Sequence, residues 1–236
     1  MAKTLNKVIT KIKELRKQGV RIYKGRKSDI LFITGCTKDK RRKKTEMPAY
    51  ERYKGSASKA MLEFFEEYCA PKKENRTLDL YIMSAGYGFI PADKNIQWYN
   101  VTFAKQEQPW MNASARKKMA EELNIAKDFK KLIGEHGYKL IVIRLGPDYI
   151  SALNSASPEG YSIPKGTQVC YLRPKSSTKR ISFSSGKEKV FEIPKNVKIN
   201  GSYQSRFWSE FFEKNTSTGK IIKKINNAKN VKELMK

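Results

Sequence analysis

The spacing of its short apolar runs is what most constrains the fold of this chain. The runs 29–34, 78–83 and 139–145 each have the composition of a buried strand, and each stops at a glycine or small-residue turn. Stretches with helical periodicity, 56–69 and 113–133, separate them. Because parallel strands need a crossover connection, this alternation predicts an α/β protein with a mainly parallel central sheet flanked by helices.

The whole chain is predicted to form one domain, residues 1–236, with its α/β core at about 28–173. A fourth strand is expected at 169–172 and closes that core. The two ends are predicted to be basic helical extensions, an N-terminal helix over 3–18 and a C-terminal helical region over 203–236.

Three loops follow the predicted parallel strands: Gly35–Lys40, Ser84–Thr102 and Gly146–Tyr149. Ligands of such sheets bind beyond the carboxyl ends of the strands, so we expect these loops to converge on a site. The second of them is rich in aromatics and amides and is predicted to be irregular. The polar stretch 174–200 is predicted to be an irregular or hairpin excursion.

The charge balance indicates a polyanionic partner. The chain has 49 lysines and arginines against 23 acidic residues, a formal net charge of +26. Nucleic acid, anionic lipid and acidic protein all fit such an excess. No apolar run approaches the ~20 residues of a membrane span. Met1–Ile9 lacks the apolar core of a secretory signal, so a cytoplasmic protein is expected.

The cysteines and the one histidine argue against metal or disulfide chemistry. Cys36, Cys69 and Cys170 are isolated, which favours neither a disulfide framework nor a zinc site. His136 precedes Gly137 in what reads as a helix-end turn and is interpreted as structural. We therefore expect no metal and no cofactor. The chain is also expected to be a monomer. Cys36 could act as a nucleophile, but a packed thiol is the preferred interpretation.

Four short motifs resemble one family. Ser84–Asp93 followed by Tyr99 has the form S-x-x-Y-G-(apolar)-x-P-x-D and a tyrosine a few residues on. The other three motifs are Tyr53–Gly55, which precedes this one, and Leu145–Tyr149 and Ser205–Phe207, which follow it. The four stand along the chain in the order in which the family has them. Together they resemble the YaaA superfamily of peroxide-stress DNA-binding proteins over residues ~30–210, and most of all its small relatives found near phage and mobile-element genes.

The resemblance implies a DNA-binding protein. It directs attention to the loop Ser84–Thr102, which carries the first motif and is called the signature loop below. This chain is shorter than the longer YaaA proteins, and it adds the basic run 38–44 and a lysine-rich tail. Peroxide-stress physiology is therefore not carried over.

Asp93 and Asp148 are the candidate catalytic residues. Both follow a turn at a predicted strand end, where a carboxylate can face a bound ligand. In cleavage of an N-glycosidic bond, a carboxylate can position water or stabilise an oxocarbenium-like sugar without a metal. The alternatives are a helix cap for Asp148, which follows Pro147, and a simple turn residue for Asp93.

Rings and amides in the signature loop suit an extruded nucleobase, since flat faces stack on the base and amides read its edge. Core packing explains part of the rings equally well. The candidate base-binding residues are Ser84, Gly86, Tyr87, Gly88, Phe89, Asn95, Trp98, Tyr99 and Asn100.

Phosphate contacts are expected from the densest basic run and its neighbours, with a solvated loop as the alternative. Arg206, beside two aromatic residues on a helix, could bind phosphate or form a buried ion pair. The candidate phosphate-binding residues are Thr37, Lys38, Lys40, Arg41, Arg42, Lys43, Lys44, Tyr53, Lys54 and Arg206.

Two functions from different classes follow from these features. The first is a metal-independent DNA glycosylase that removes a base, in particular a modified one, from double-stranded DNA with a flipped base and leaves an abasic site, in anti-phage defence or repair. The second is a non-catalytic YaaA-like DNA-binding stress-response protein. RNA as the partner fits the basic surface equally well. A nuclease is disfavoured, because no PD-(D/E)xK, HNH or paired-acid motif is found.

Overall fold

The molecule is built from helices on both sides of a sheet. The computed structural model describes residues 2–20, 22–37, 39–42, 45–53, 55–56, 58–69, 77–105, 108, 110–174, 180–193 and 201–235. The helices are α1 Ala2–Arg16, α2 Ala49–Arg52, α3 Lys59–Tyr68, α4 Ala113–Glu122, α5 Ile125–Gly134, α6 Pro147–Ala156, α7 Gly201–Lys214, α8 Thr218–Asn227 and α9 Val231–Met235. The strands are β1 Ile30–Gly35, β2 Met47–Pro48, β3 Asp79–Ser84, β4 Gly88–Pro91, β5 Asn95–Ile96, β6 Leu140–Arg144, β7 Tyr161–Ser162, β8 Gln168–Pro174, β9 Phe183–Ser185 and β10 Lys187–Ile193.

The main sheet has six strands in the order β10-β8-β6-β1-β3-β4. The first five run parallel, and β4 is antiparallel to β3. The central strand β1 is wholly buried, and its Phe32 is paired with Leu80 on one side and Val142 on the other. A continuous apolar run is what a strand covered on both faces requires. The α/β prediction with a mainly parallel sheet is confirmed.

Two strands of the main sheet lie outside the predicted strands, one in the stretch expected to be an irregular or hairpin excursion and one in the loop expected to be irregular. β10 falls within 174–200 and pairs in parallel with β8, so the sheet extends beyond the predicted core limit of 173. Its sequence begins with three charged residues and mixes charged with apolar ones after them, and only Phe191 and Ile193 are buried among its described side chains. Such a pattern is typical of a strand at a sheet edge. β4 was missed because glycine and proline bound its four residues.

The predicted long helix over 113–133 is two helices. α4 ends at Glu122, and Asn124 adopts a left-handed conformation with φ of 54° before α5 begins. Asparagine tolerates this conformation better than most residues, so the break costs little. The apolar periodicity runs on across the break, which is why the sequence read as one helix.

Both basic ends pack against the domain. α1 buries Ile12 and Leu15, and the C-terminal helices bury Trp208 and Ile225. Trp208 meets Phe32 of the central strand edge to face, with ring centroids 6.2 Å apart. The helical predictions for 3–18 and 203–236 agree with α1 and with α7, α8 and α9. In the described part of the chain, no helix combines the length and the apolar character needed to cross a membrane.

Candidate functional site

The carboxyl ends of β1, β3 and β6 lie side by side, because β1 is the central one of the three. The three predicted loops meet there, as hydrogen bonds between their side chains demonstrate. Cys36 of the first loop contacts the Tyr149 hydroxyl of the third, and Thr102 of the second loop contacts the same hydroxyl. We call this meeting point the carboxyl-edge site, and its main residues are Cys36, Lys40, Tyr53, Ser84, Tyr99, Thr102, Arg144 and Tyr149.

A chain of three hydroxyl groups forms one half of the carboxyl-edge site. The Ser84 Oγ lies 2.6 Å from the Tyr99 hydroxyl, which lies 2.8 Å from the Tyr53 hydroxyl. The backbone N–H groups of Gly86 and Tyr87 donate to the Ser84 Oγ over 3.2 and 3.1 Å. Burial raises the pKa of both Tyr53 and Tyr99, so their hydroxyls stay protonated at neutral pH.

Gly86, in the turn after β3, is required by this packing. A Cβ atom at Gly86 would come within 2.8 Å of the Tyr99 ring and 3.1 Å of Leu15 on α1. The turn after β3 therefore presses directly on the ring whose hydroxyl joins the chain. The small residues that end this strand have a steric cause, and the loop is held between the sheet and α1.

Cys36 and Tyr149 form the other half of the site. The Tyr149 hydroxyl lies 2.9 Å from the Cys36 Sγ and donates to the Cys36 carbonyl over 2.9 Å. Thr102 lies 3.5 Å from the same hydroxyl. The thiol is buried and packed, in agreement with the interpretation preferred from sequence.

Lys40 lies between the two halves. Its ammonium donates to the Val101 carbonyl over 3.4 Å and stands 4.6 Å from the centroid of the Tyr99 ring. Burial lowers the pKa of Lys40, and the nearby Cys36 and Asp39 oppose that shift. The residue was predicted to contact phosphate at the surface. In the structure it is a buried cation beside aromatic rings.

Arg144, the last residue of β6, brings a second cation to this edge. Its guanidinium donates to Ser58 over 3.1 Å and to Thr34 over 3.3 Å. Burial lowers the pKa of Arg144 to about 10, while the nearby Tyr149 opposes that shift. The group is therefore still charged at neutral pH. Sequence reasoning missed this arginine, although its place at a strand end was a usable signal.

The two candidate catalytic acids lie at opposite ends of the parallel strands. Asp148 follows β6 at the carboxyl edge, where Arg116 pairs with it over 2.8 Å and the Lys105 N–H donates to it over 3.2 Å. Asp93 follows β4, which runs back beside β3, so it lies by the amino end of that strand. There it accepts a hydrogen bond from Tyr23. The structure therefore does not bring the two acids together.

The candidate base-binding residues separate into three groups. Ser84, Gly86, Tyr87 and Tyr99 lie in or beside the buried hydroxyl chain. Gly88 and Phe89 belong to β4, where Phe89 stacks on Phe129 of the core at 5.6 Å. Only Asn95, Trp98 and Asn100 are exposed.

Tyr87 links the loop to the turn that follows α1. Its hydroxyl donates to Gln18 over 2.7 Å and accepts from the Gln97 N–H over 3.0 Å. Burial raises the pKa of Tyr87 to about 12.

The candidate phosphate-binding residues also fall into separate groups, some buried, some exposed and some outside the described residues. Thr37 is buried, and its hydroxyl donates to the Asp39 carbonyl and accepts from the Gly55 N–H. Arg42 and Arg206 are exposed, so Arg206 is not in a buried ion pair. Lys38, Lys43, Lys44 and Lys54 lie outside the described residues.

Arg52 is a residue that sequence reasoning missed entirely. It is fully buried on α2 and donates to the carbonyls of Arg41, Thr45 and Ile96 over 2.6, 2.6 and 3.0 Å. It thereby joins the basic segment to β5. These three partners are backbone carbonyls, which no side-chain motif in the sequence reveals.

Comparison with known proteins adds no relative. A scan against protein-family models, a search of curated proteins and a search of solved structures each found no match. Among the residues that the structure describes, no three histidine, cysteine or acidic side chains are grouped as a metal site would need.

Proposed function

We propose that this chain is a DNA-binding enzyme that cleaves the N-glycosidic bond of a base, in particular a modified one, and leaves an abasic site. The net charge of +26 supports a polyanionic substrate. The motif resemblance to the YaaA superfamily supports DNA as that substrate. Anti-phage defence and base repair are the settings in which this activity would be useful.

The observation that carries the proposal is the position of Asp148. Its side chain is 31% exposed at the carboxyl edge, with one oxygen on Arg116 and the other on a backbone N–H. A carboxylate fixed in this way can face the positive charge that develops on the sugar as the bond from C1′ to the base breaks. It can also accept a proton from the water that forms the new C1′–O bond, while the electron pair of the broken bond leaves with the base.

Two cations complete the chemistry of this edge. Lys40 stands beside the Tyr99 ring and Arg144 donates to the buried Ser58 hydroxyl, and either cation can neutralise a phosphate or the departing base. The catalytic role proposed from sequence for Asp93 has less support, because that carboxylate lies by the amino end of β3.

A second candidate function is DNA binding without catalysis. It is favoured by the burial of Ser84, Tyr53 and Tyr99, whose hydroxyls hydrogen-bond one another. A network of this kind also serves simply to hold loops in place. RNA remains an alternative partner for the same basic surface.

The deciding experiment is incubation of the purified protein with duplex DNAs that carry normal and modified bases, including glucosylated hydroxymethylcytosine. Alkali would reveal abasic sites, and mass spectrometry would identify a released base. Abasic sites in one substrate would support the glycosylase and name its base. Intact DNA together with salt-sensitive binding would favour the binding protein.

Asp148→Asn tests the proposed mechanism. We expect turnover to fall roughly a hundredfold or more, the scale on which a positioned acid or base contributes, while DNA binding is retained. Asp29→Asn is the matched control. Asp29 is an ion-paired aspartate of similar exposure, 28%, paired with Lys139 over 2.8 Å at the amino end of β1. Equal turnover in both variants would remove Asp148 from the mechanism.

A further inference from the structure

A surface groove runs between α1 and the segment that leads from β5 to Thr102. Its volume is about 370 Å³, at the small end of the range for ligand sites. Thr4, Lys7 and Lys11 of α1 form one wall, and Trp98 and Asn100 form the other. The groove lies outside the buried hydroxyl chain, with which it shares Tyr99.

The exposure of Trp98 follows from the anchoring of its neighbours. Along this extended segment Tyr99 and Val101 are buried, so the side chains that alternate with them, Trp98 and Asn100, are directed to solvent. Trp98 is 38% exposed, and Tyr68 is the other large apolar side chain exposed in the described part of the chain. A rigid backbone therefore presents an indole ring and an amide together.

The charge of the groove is wholly positive among its described lining residues. Lys7 and Lys11 are exposed and stand one helical turn apart. The Arg42 guanidinium stands 6.0 Å from the centroid of the Trp98 ring. Lys11 pairs with Glu14 over 3.1 Å, but both side chains are about half exposed, and a phosphate can replace such a partner.

We infer that this groove binds a single-stranded segment of nucleic acid. A base stacks on Trp98, Asn100 contacts the edge of that base, and Lys7 and Lys11 contact the flanking phosphates. An unpaired strand is the occupant because a ring can stack only on a base whose face is free. The inference rests on the nucleic-acid binding in the proposed function and is independent of bond cleavage.

Other polyanions match only part of the groove. An acidic peptide would satisfy the lysines but gives the indole no flat partner. An anionic lipid surface calls for a broad apolar face, whereas this groove offers one exposed ring between charged and polar side chains. Stacking combined with phosphate contact is what distinguishes an unpaired nucleic acid strand.

The test is fluorescence anisotropy with a labelled short oligodeoxythymidine. Trp98→Ala should weaken binding roughly tenfold, as expected for the loss of one stacked base, and Trp98→Phe should retain most of the affinity. Tyr68→Ala is the matched control, since it removes an equally exposed ring that does not line the groove. It should leave the affinity unchanged.

The lysines are tested by the dependence of this affinity on salt. The double variant Lys7→Ala and Lys11→Ala should reduce the log–log slope by about 1.4, for two single-strand phosphate contacts. Lys220→Ala with Lys223→Ala removes the same charge from α8, which does not line the groove, and should leave the slope unchanged.

The inference is overturned if Trp98→Ala binds the oligonucleotide as tightly as the unaltered protein. Binding of polyglutamate or of anionic vesicles that is lost in Trp98→Ala, with no oligonucleotide binding, would overturn it too. Failure of the two proposals is distinguishable. If base release is lost in Asp148→Asn but oligonucleotide affinity is unchanged in Trp98→Ala, only the groove proposal is refuted. If Trp98→Ala weakens oligonucleotide binding but no base is released by any of the proteins, only the cleavage proposal is refuted.

Discussion

At the scale of single residues, His136 is a buried imidazole just beyond the end of α5. It is the one histidine of the chain, and its ring is 5.9 Å from that of Tyr138. Within the described part of the molecule neither ring nitrogen has a hydrogen-bond partner. Burial lowers the pKa of His136, and the nearby Lys131 lowers it further. A structural role agrees with the interpretation made from sequence.

This burial predicts a pH dependence of stability. The folded pKa lies below the unfolded value of about 6.5, so at lower pH the unfolded state binds the proton more readily. The free energy of unfolding should therefore be unaffected above that value and fall as the pH drops below it. Urea unfolding between pH 5 and 8 measures this fall, and His136→Phe should reduce it. Identical slopes in the two proteins would show that His136 titrates alike in both states.

At the scale of elements, the junction between α4 and α5 determines where α5 lies. Asn124 is exposed and left-handed, and it turns the chain so that α5 can pack Phe129 on Phe89 of β4. The Leu123 carbonyl at the same junction accepts a hydrogen bond from Arg16 of α1. One backbone conformation thus joins two helices, a strand and the N-terminal helix.

Substitution of Asn124 tests this conformation. Asn124→Ala should lower the free energy of unfolding by roughly 1 kcal/mol, because alanine disfavours positive φ. Asn124→Gly should be neutral or slightly stabilising, since glycine adopts that region freely. Urea titration of both variants gives the comparison. If alanine is tolerated as well as glycine, the helix does not break at this residue.

The strands and the site differ in how far sequence could predict them. β1, β3 and β6 are buried on both faces and read as continuous apolar runs, so they were found to within two residues. Because these strands were predicted to be parallel, the loops that follow them were also predicted to meet. The position of Asp93 was missed because it depends on β4 turning back along β3 through a loop of three residues. Gly86 and the left-handed Gly88 are a local hairpin signal at this turn, but the stretch was interpreted as an irregular loop.

At the scale of the whole molecule, the net charge of +26 is the dominant property. Ion pairs such as Lys59–Glu63 and Lys130–Glu159 use part of the acidic minority on the surface. Most of the positive charge is left for self-repulsion or for a polyanion. Long-range attraction of this kind speeds association and weakens with ionic strength.

The affinity for duplex DNA should consequently depend steeply on salt. If about six phosphates are neutralised, the log of the association constant should fall against the log of the salt concentration with a slope near −5. Titrations at several potassium chloride concentrations give this slope. An affinity indifferent to salt would contradict a phosphate-based interface.

The central position of β1 has a consequence for how the protein is made. β1 is synthesised before its two neighbours in the sheet, β3 and β6, and Trp208 of α7, which covers its Phe32, is synthesised later still. During translation the apolar side chains of β1 therefore stay exposed until the elements that cover them, β3, β6 and α7, have left the ribosome. Contacts this distant along a chain form slowly, so the nascent protein is a natural client for chaperones.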